Sequence, residues 1–135
     1  MLFRSLEGPF LASQAALPAL EKTKGTIVNI GGLTAYTGAT HRAHVVAAKA
    51  GLDGLTKALA VELAPKGITV NLVSPGMIDT AREGAEPAHR KTRTTILGRR
   101  GKPEEVAAMV RYLAGPNGRY LTGQTIHVNG GVFLP

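Results

Sequence analysis

Lys49 is the first residue in this sequence whose type and setting offer chemistry. It stands in "THRAHVVAAKAGLDGLTKALA", residues 40–60, a run of small and apolar residues suited to a close-packed helix. An ammonium on a helix can tune a proton donor placed one turn earlier, because side chains four positions apart share a face. That earlier position is Val45, which neither gives nor takes a proton. Three neighbours carry a proton. His44 is adjacent to Val45, but one helix position turns a side chain about 100° away. His41 lies two turns from Lys49 on roughly its face, and Tyr36 sits in the loop before the helix, able to swing inward. Proton transfer needs a donor within hydrogen-bond reach, so none of the three is expected to serve. The plain alternative for Lys49 is a solvated helix lysine.

The elements that must position Lys49 can be read along the chain. Gly8-Pro9 and "FLASQAALPAL" predict a helix with proline in its first turn, ended by Thr23-Lys24-Gly25. "TIVNI", 26–30, is β-branched and apolar, as a buried strand requires. A Gly- and Thr-rich loop spans 31–40. A long helix follows from about His41 to Lys66, stopped by Pro65 and Gly67. "ITVNLVS", 68–74, predicts a second buried strand, ended by Pro75-Gly76. Residues 77–102 read as a basic, mobile segment. "KPEEVAAMVRYLAG" predicts another helix, with Glu104 and Glu105 complementing its dipole, and "QTIHVNGG" a last short strand. Alternating helix and strand imply an α/β fold, a parallel sheet with right-handed crossovers. In such sheets ligands sit beyond the carboxyl ends of the strands, so residues 31–40 and 75–80 should line one crevice. Asn29 and Asn71, within strands, are expected to tie loops together rather than touch a ligand, and His127 to be a strand residue.

Composition narrows the partners. At 135 residues the chain holds at most one domain, and 44% hydrophobic with 19% charged residues is ordinary for a globular protein. No cysteine is present, which excludes disulfides and thiolate metal sites, and four histidines without HxxxH spacing argue against any metal. The net charge of +7 is densest in "HRKTRTTILGRRGK", 89–102. No aromatic residue interleaves those charges, so a solvated loop is favoured over a nucleic-acid surface. Glu7, Ser13, Gln14 and Pro18 interrupt the apolar start, which argues against a signal peptide. No stretch reaches membrane-spanning length, and the cytoplasm is the expected compartment.

Four stretches, in order, resemble one family. "GTIVNIGG", "VVAAKAGLDGLTKALAVELAPKGITVNLVSPGMIDT", "GRRGKPEEVAAMVRYLAG" and "YLTGQTIHVNGG" are similar to the C-terminal half of a short-chain dehydrogenase/reductase, from about Leu6 to Gly131. The resemblance implies a partial Rossmann-like doubly wound parallel sheet, its last three strands with flanking helices, and residues 1–135 as the C-terminal half of an NAD(P)-binding domain. It implies NAD or NADP as cofactor and a small-molecule carbonyl or alcohol as substrate. In the family a tyrosine four residues before the lysine is the general acid, a serine holds the substrate carbonyl, and an asparagine supports them. Here those positions are Val45, Gly32 and Ser5, so of four catalytic residues only Lys49 matches. The resemblance also assigns Lys49 to the nicotinamide ribose, Pro75, Gly76 and Ile78 to the wall around the carboxamide, and Thr80 to a hydrogen bond with the cofactor.

No glycine-rich phosphate loop of the GxGxxG type occurs, so the adenosine-binding half is expected to lie outside a chain that enters abruptly at "MLFRS". "TIVNI" should then present an open apolar edge, and the chain alone should associate or precipitate. Ala47, Ala50, Gly51, Gly54 and Ala58 resemble the face by which family members pair subunits, which implies a homo-oligomeric parent. Two functions follow: an oxidoreductase, or a non-catalytic member that keeps dinucleotide or subunit contacts.

Overall fold

A computed structural model describes residues 3–81 and 93–135; the expectation of a basic, mobile stretch falls partly on residues outside these. Three strands form the sheet: β1 (Thr26–Ile30), β2 (Thr69–Pro75) and β3 (Thr125–Val128), all parallel in the order β1-β2-β3. The β-branched run of β2 is buried from Thr69 to Ser74, as befits the central strand. Register places Thr26 beside Thr69, and their hydroxyls share a hydrogen bond of 2.9 Å. Ser74 pairs with His127.

Helix α1 (Gly8–Thr23) precedes β1, and a π-helical turn, Phe3–Glu7, leads into it. Ser13 inside α1 donates to the Pro9 carbonyl at 2.7 Å, so its burial leaves no orphaned hydroxyl. The 31–40 segment, expected to be a loop, contains a one-turn helix, α2 (Thr34–Thr37). It forms because Leu33 is buried beneath it and Tyr36 is anchored by its hydroxyl. Helix α3 (Ala43–Leu63) ends through a 3-10 turn, Ala64–Lys66, at Gly67. Gly67 adopts φ +75°, a left-handed conformation that favours glycine. Helix α4 (Pro103–Ala114) starts on a proline, and the Glu105 carboxylate accepts the Lys102 N–H at 2.7 Å.

The core lies between α1, α3 and the sheet. Ala60, Leu63, Ile68 and Val70 form one buried cluster, flanked by Leu17, Leu20, Ile27 and Leu59. Asn71, fully buried, ties down the loop before β3: it donates to Leu121 O at 2.7 Å and accepts from Gln124 N at 3.0 Å. Asn29 donates to Thr56 on α3 at 2.9 Å. Asn71 thus ties a loop, as expected, whereas Asn29 ties β1 to helix α3.

The described ends of the basic segment are fastened rather than loose. Gly101 N donates to Met77 O at 2.9 Å and Asp79 N to Gly101 O at 2.8 Å, a parallel bridge between Ile78 and Gly101. Arg93 donates to Thr37 Oγ1 at 2.6 Å and Gly38 O at 3.0 Å. These backbone pairings join residues more than twenty positions apart, which no local pattern announces. No helix among the described residues is long and apolar enough to cross a membrane.

Candidate functional site

Lys49 sits near the middle of the face α3 turns toward the end of β1. Its Nζ donates to Ile30 O at 2.8 Å. Carbonyls alternate sides along a strand. Gly31 N bonds Val73 O of β2, so the Ile30 carbonyl points to the open side of β1, where the lysine reaches it. The amine is half-buried, and that burial lowers its pKa below the ordinary lysine value. Gly32 faces the same side chain: a Cβ there would lie 3.9 Å from Cγ, Cδ and Cε of Lys49, ordinary van der Waals contact. Val45 is one turn before Lys49 on the same helix, where spacing puts the two side chains on one face. Among the described residues, the backbone carbonyl of Ile30 is the partner of the Lys49 amine.

Ser5 joins this group. It lines, with Arg4, Ile30, Lys49 and Leu52, a groove of about 550 Å³ along the open edge of β1. The π-helical turn that carries Ser5 is seated by Leu6, whose Cδ2 would stand 2.8 Å from a Cβ on Gly51. Gly51 therefore serves an internal contact. The rest of the small-residue stripe, Ala47, Ala50, Gly54 and Ala58, is exposed.

Candidate donors stand elsewhere. His41, at φ +56°, and His44 are exposed. The Tyr36 hydroxyl does not turn toward Lys49 but donates to Asp53 Oδ1 at 2.9 Å, and burial raises its pKa. Asp53 also accepts from Thr125 at 2.5 Å and from Lys57 at 2.7 Å. Burial raises the Asp53 pKa, but the hydrogen bonds from Lys57, Thr125 and Tyr36 outweigh it and leave the carboxyl below its usual value. Tyr36 stacks on Phe133 at 5.7 Å and meets the edge of His127 at 4.8 Å. Burial lowers the His127 pKa against the pull of Asp53. Sequence reading missed this cluster. Its one local signal was Asp53 four residues before Lys57; Thr125, His127 and Phe133 arrive through the fold.

The second loop meets the first: Leu33 N donates to Pro75 O at 3.3 Å, so the segment after β1 touches the end of β2. Gly76 N donates to Val128 O at 3.0 Å, and a Cβ on Gly76 would stand 2.6 Å from Asn129 Cα. Glycine at this place is required by the Asn129 backbone that follows β3. Ile78 lines a small cavity of about 210 Å³ with Met77, Arg99, Gly101, Glu105 and Asn129. Thr80, beyond it, is exposed.

At that cavity Arg99 pairs with Glu105 through two bonds of 2.8 and 2.7 Å. With the Lys102 N–H, the guanidinium holds the Glu105 carboxyl down to about 2 from its ordinary 4.5. A depressed folded-state pKa stabilises above the unfolded value and loses that contribution as pH falls through about 2. Arg99→Gln is expected to return the Glu105 midpoint toward 4.5, read from the carboxyl carbon by NMR.

Comparison with known proteins identifies the arrangement. The family described as enoyl-(acyl carrier protein) reductase matches residues 2–133. The 3-oxoacyl-(acyl-carrier-protein) reductase FabG of Vibrio cholerae is 40% identical over 134 residues, covering 96% of this chain and 55% of that protein. The enzyme of the same name from Aquifex aeolicus is 44% identical over 133 residues, covering 96% of this chain and 54% of its own length. The chain thus spans about half the length of these relatives. The crystal structure of a blue fluorescent protein from a metagenomic library, in complex with NADPH, superposes with a TM-score of 0.86 at 37% identity, over 96% of this chain and 53% of that one. With its parallel three-stranded sheet, its helical lysine at the strand ends and a family match across nearly its whole length, the chain belongs to the short-chain dehydrogenase/reductase family.

Proposed function

We propose that this chain forms the nicotinamide side of an NAD(P)(H) site in an oxidoreductase of small carbonyl or alcohol substrates, and that it lacks the family's tyrosine-dependent proton step. The observation that carries the reading is the Lys49 amine, held at the end of β1 beside Gly32 with Val45 one turn away.

The residues present fit the nicotinamide half of such a cofactor. Gly32 leaves open space in front of Lys49, and Pro75 and Gly76 bring backbone to the edge of the same crevice. When bound, the nicotinamide supplies or takes a hydride. Lys49 would donate to the ribose hydroxyls, Pro75, Gly76 and Ile78 would wall the carboxamide, and Thr80 would donate a further hydrogen bond. Neither Gly32 nor Val45 offers a hydroxyl to a substrate oxygen, so a proton for that oxygen has no source at the two positions that would be nearest. The names of the relatives make a 3-oxoacyl thioester the first carbonyl to test.

Calorimetric titration with NADH and NADPH tests the binding. Binding that weakens about tenfold or more in Lys49→Met is expected, since one charge-assisted hydrogen bond contributes roughly 1.5–3 kcal/mol. Failure of both dinucleotides to bind would overturn the reading. Binding with turnover of the thioester at ordinary rates would overturn only the missing proton step. Copies are also proposed to associate, since Phe10 and Leu11 of α1 and Val61 of α3 are exposed apolar side chains.

A further inference from the structure

We propose that Asp53 is a positioning residue: its carboxylate holds the turn α2, and through it the Gly32–Leu33 segment, against β3. The bearing of that hold on dinucleotide binding rests on the nicotinamide reading above; the hold itself does not.

Asp53 follows Lys49 by one turn of α3 and keeps only 15% of its side chain exposed. Its Oδ1 accepts from two hydroxyls, that of Tyr36 on α2 at 2.9 Å and that of Thr125 on β3. Its Oδ2 accepts from Lys57 on the same helix. An exposed pair four residues apart contributes little, and Lys57 is largely exposed. That pair alone gives a carboxylate no reason to leave water. The two hydroxyls do, because they come from elements distant in sequence and meet on one atom. Removing the carboxylate would leave both half-buried hydroxyls without their acceptor.

The turn α2 needs such a hold, since four residues close too few hydrogen bonds to stand as a helix alone. Tyr36 is gripped at both ends. Its ring stacks on Phe133 and meets the edge of His127, while its hydroxyl reaches Asp53. The grip passes by backbone bonds to the segment beside Lys49. Ala35 N donates to Gly32 O at 3.1 Å, Tyr36 N to Leu33 O at 3.0 Å, and Leu33 N to Pro75 O at 3.3 Å. A turn that slides off Asp53 therefore drags Gly32, which faces the Lys49 stem, and Leu33, which touches Pro75. The side chains of the hold belong to α2, α3, β3 and the residues after β3. They lie across β2 from the unpaired edge of β1.

Hydrogen exchange on the whole chain tests the hold, read at the α2 amides Ala35 to Gly38 with the β2 amides Val70 to Val73 as internal reference. Tyr36→Phe deletes only the hydroxyl and is expected to speed exchange at α2 about fivefold, the equivalent of one net hydrogen bond, while β2 keeps its rate. Asp53→Ala should accelerate α2 at least as much, and adding Tyr36→Phe to it should accelerate α2 no further, because the bond is already gone. Lys57→Gln, which breaks the exposed ion pair alone, should leave α2 unchanged. Wild-type rates at α2 in Tyr36→Phe, or α2 and β2 accelerated alike, would overturn the proposal. Calorimetry with NADPH reads the positioning. Affinity is expected to fall several-fold in Tyr36→Phe and Asp53→Ala and to be kept in Asp53→Asn, whose amide oxygen still accepts both hydroxyls. Faster α2 exchange with unchanged affinity would overturn the positioning role. A wild-type chain that binds neither dinucleotide overturns the nicotinamide reading instead, and the exchange contrast then decides the hold by itself.

Discussion

Val45→Tyr combined with Gly32→Ser is expected to raise carbonyl-dependent NADPH oxidation by about 100-fold or more, the lower end of what a positioned proton donor contributes. The geometry is prepared for it. Position 45 lies one turn before Lys49, so a phenol there would share a face with the ammonium, which favours the ionised phenol and makes it a better acid. Position 32 has room, since the nearest atoms to a Cβ are the Lys49 methylenes at 3.9 Å. Each single substitution should recover less than the pair, because a donor without an oriented carbonyl, or the reverse, lacks its partner. The check is the absorbance decay of NADPH with a 3-oxoacyl thioester. An unchanged rate in the double variant, with dinucleotide affinity preserved, would show that the proton comes from elsewhere.

Leu72→Ala should lower stability by about 2–5 kcal/mol, measured as the shift in denaturant midpoint. Leu72 is only 1% exposed in the central strand, and its methyl would stand 2.5 Å from a Cβ placed on Gly31. The cavity left behind lies directly under the start of the loop that carries Gly32. The same contact predicts coupling. Gly31→Ala alone overpacks this point and should cost about 1–3 kcal/mol. In the Leu72→Ala background it should cost much less, because the added methyl occupies the vacated space.

Strands and helices were legible because their signals are local. β-branched runs marked β1 and β2 within a residue, and Pro65, Gly67 and Pro103 set the helix limits. The alignment of Lys49, Gly32 and the crevice loops was also legible, because motif spacing fixes register along one chain. What sequence did not disclose depends on distant partners. The Tyr36 hydroxyl has gone to Asp53, a choice set by Thr125 and Phe133 from the end of the chain. Gly51 and Gly76, read for subunit pairing and cofactor contact, are also places where Leu6 and Asn129 come close. A glycine's letter says that something approaches, but not what.

The bond between Lys49 and Ile30 has a bearing on colloidal behaviour. Among the described residues β1 has a strand on one side only, and an unguarded row of amides and carbonyls invites a neighbouring molecule to add itself edge to edge. By occupying one outward acceptor with its half-buried amine, the lysine acts as a gatekeeper on that seam. A methionine there would remove the guard, and concentrated solutions of the variant should form stacked assemblies sooner than the wild type.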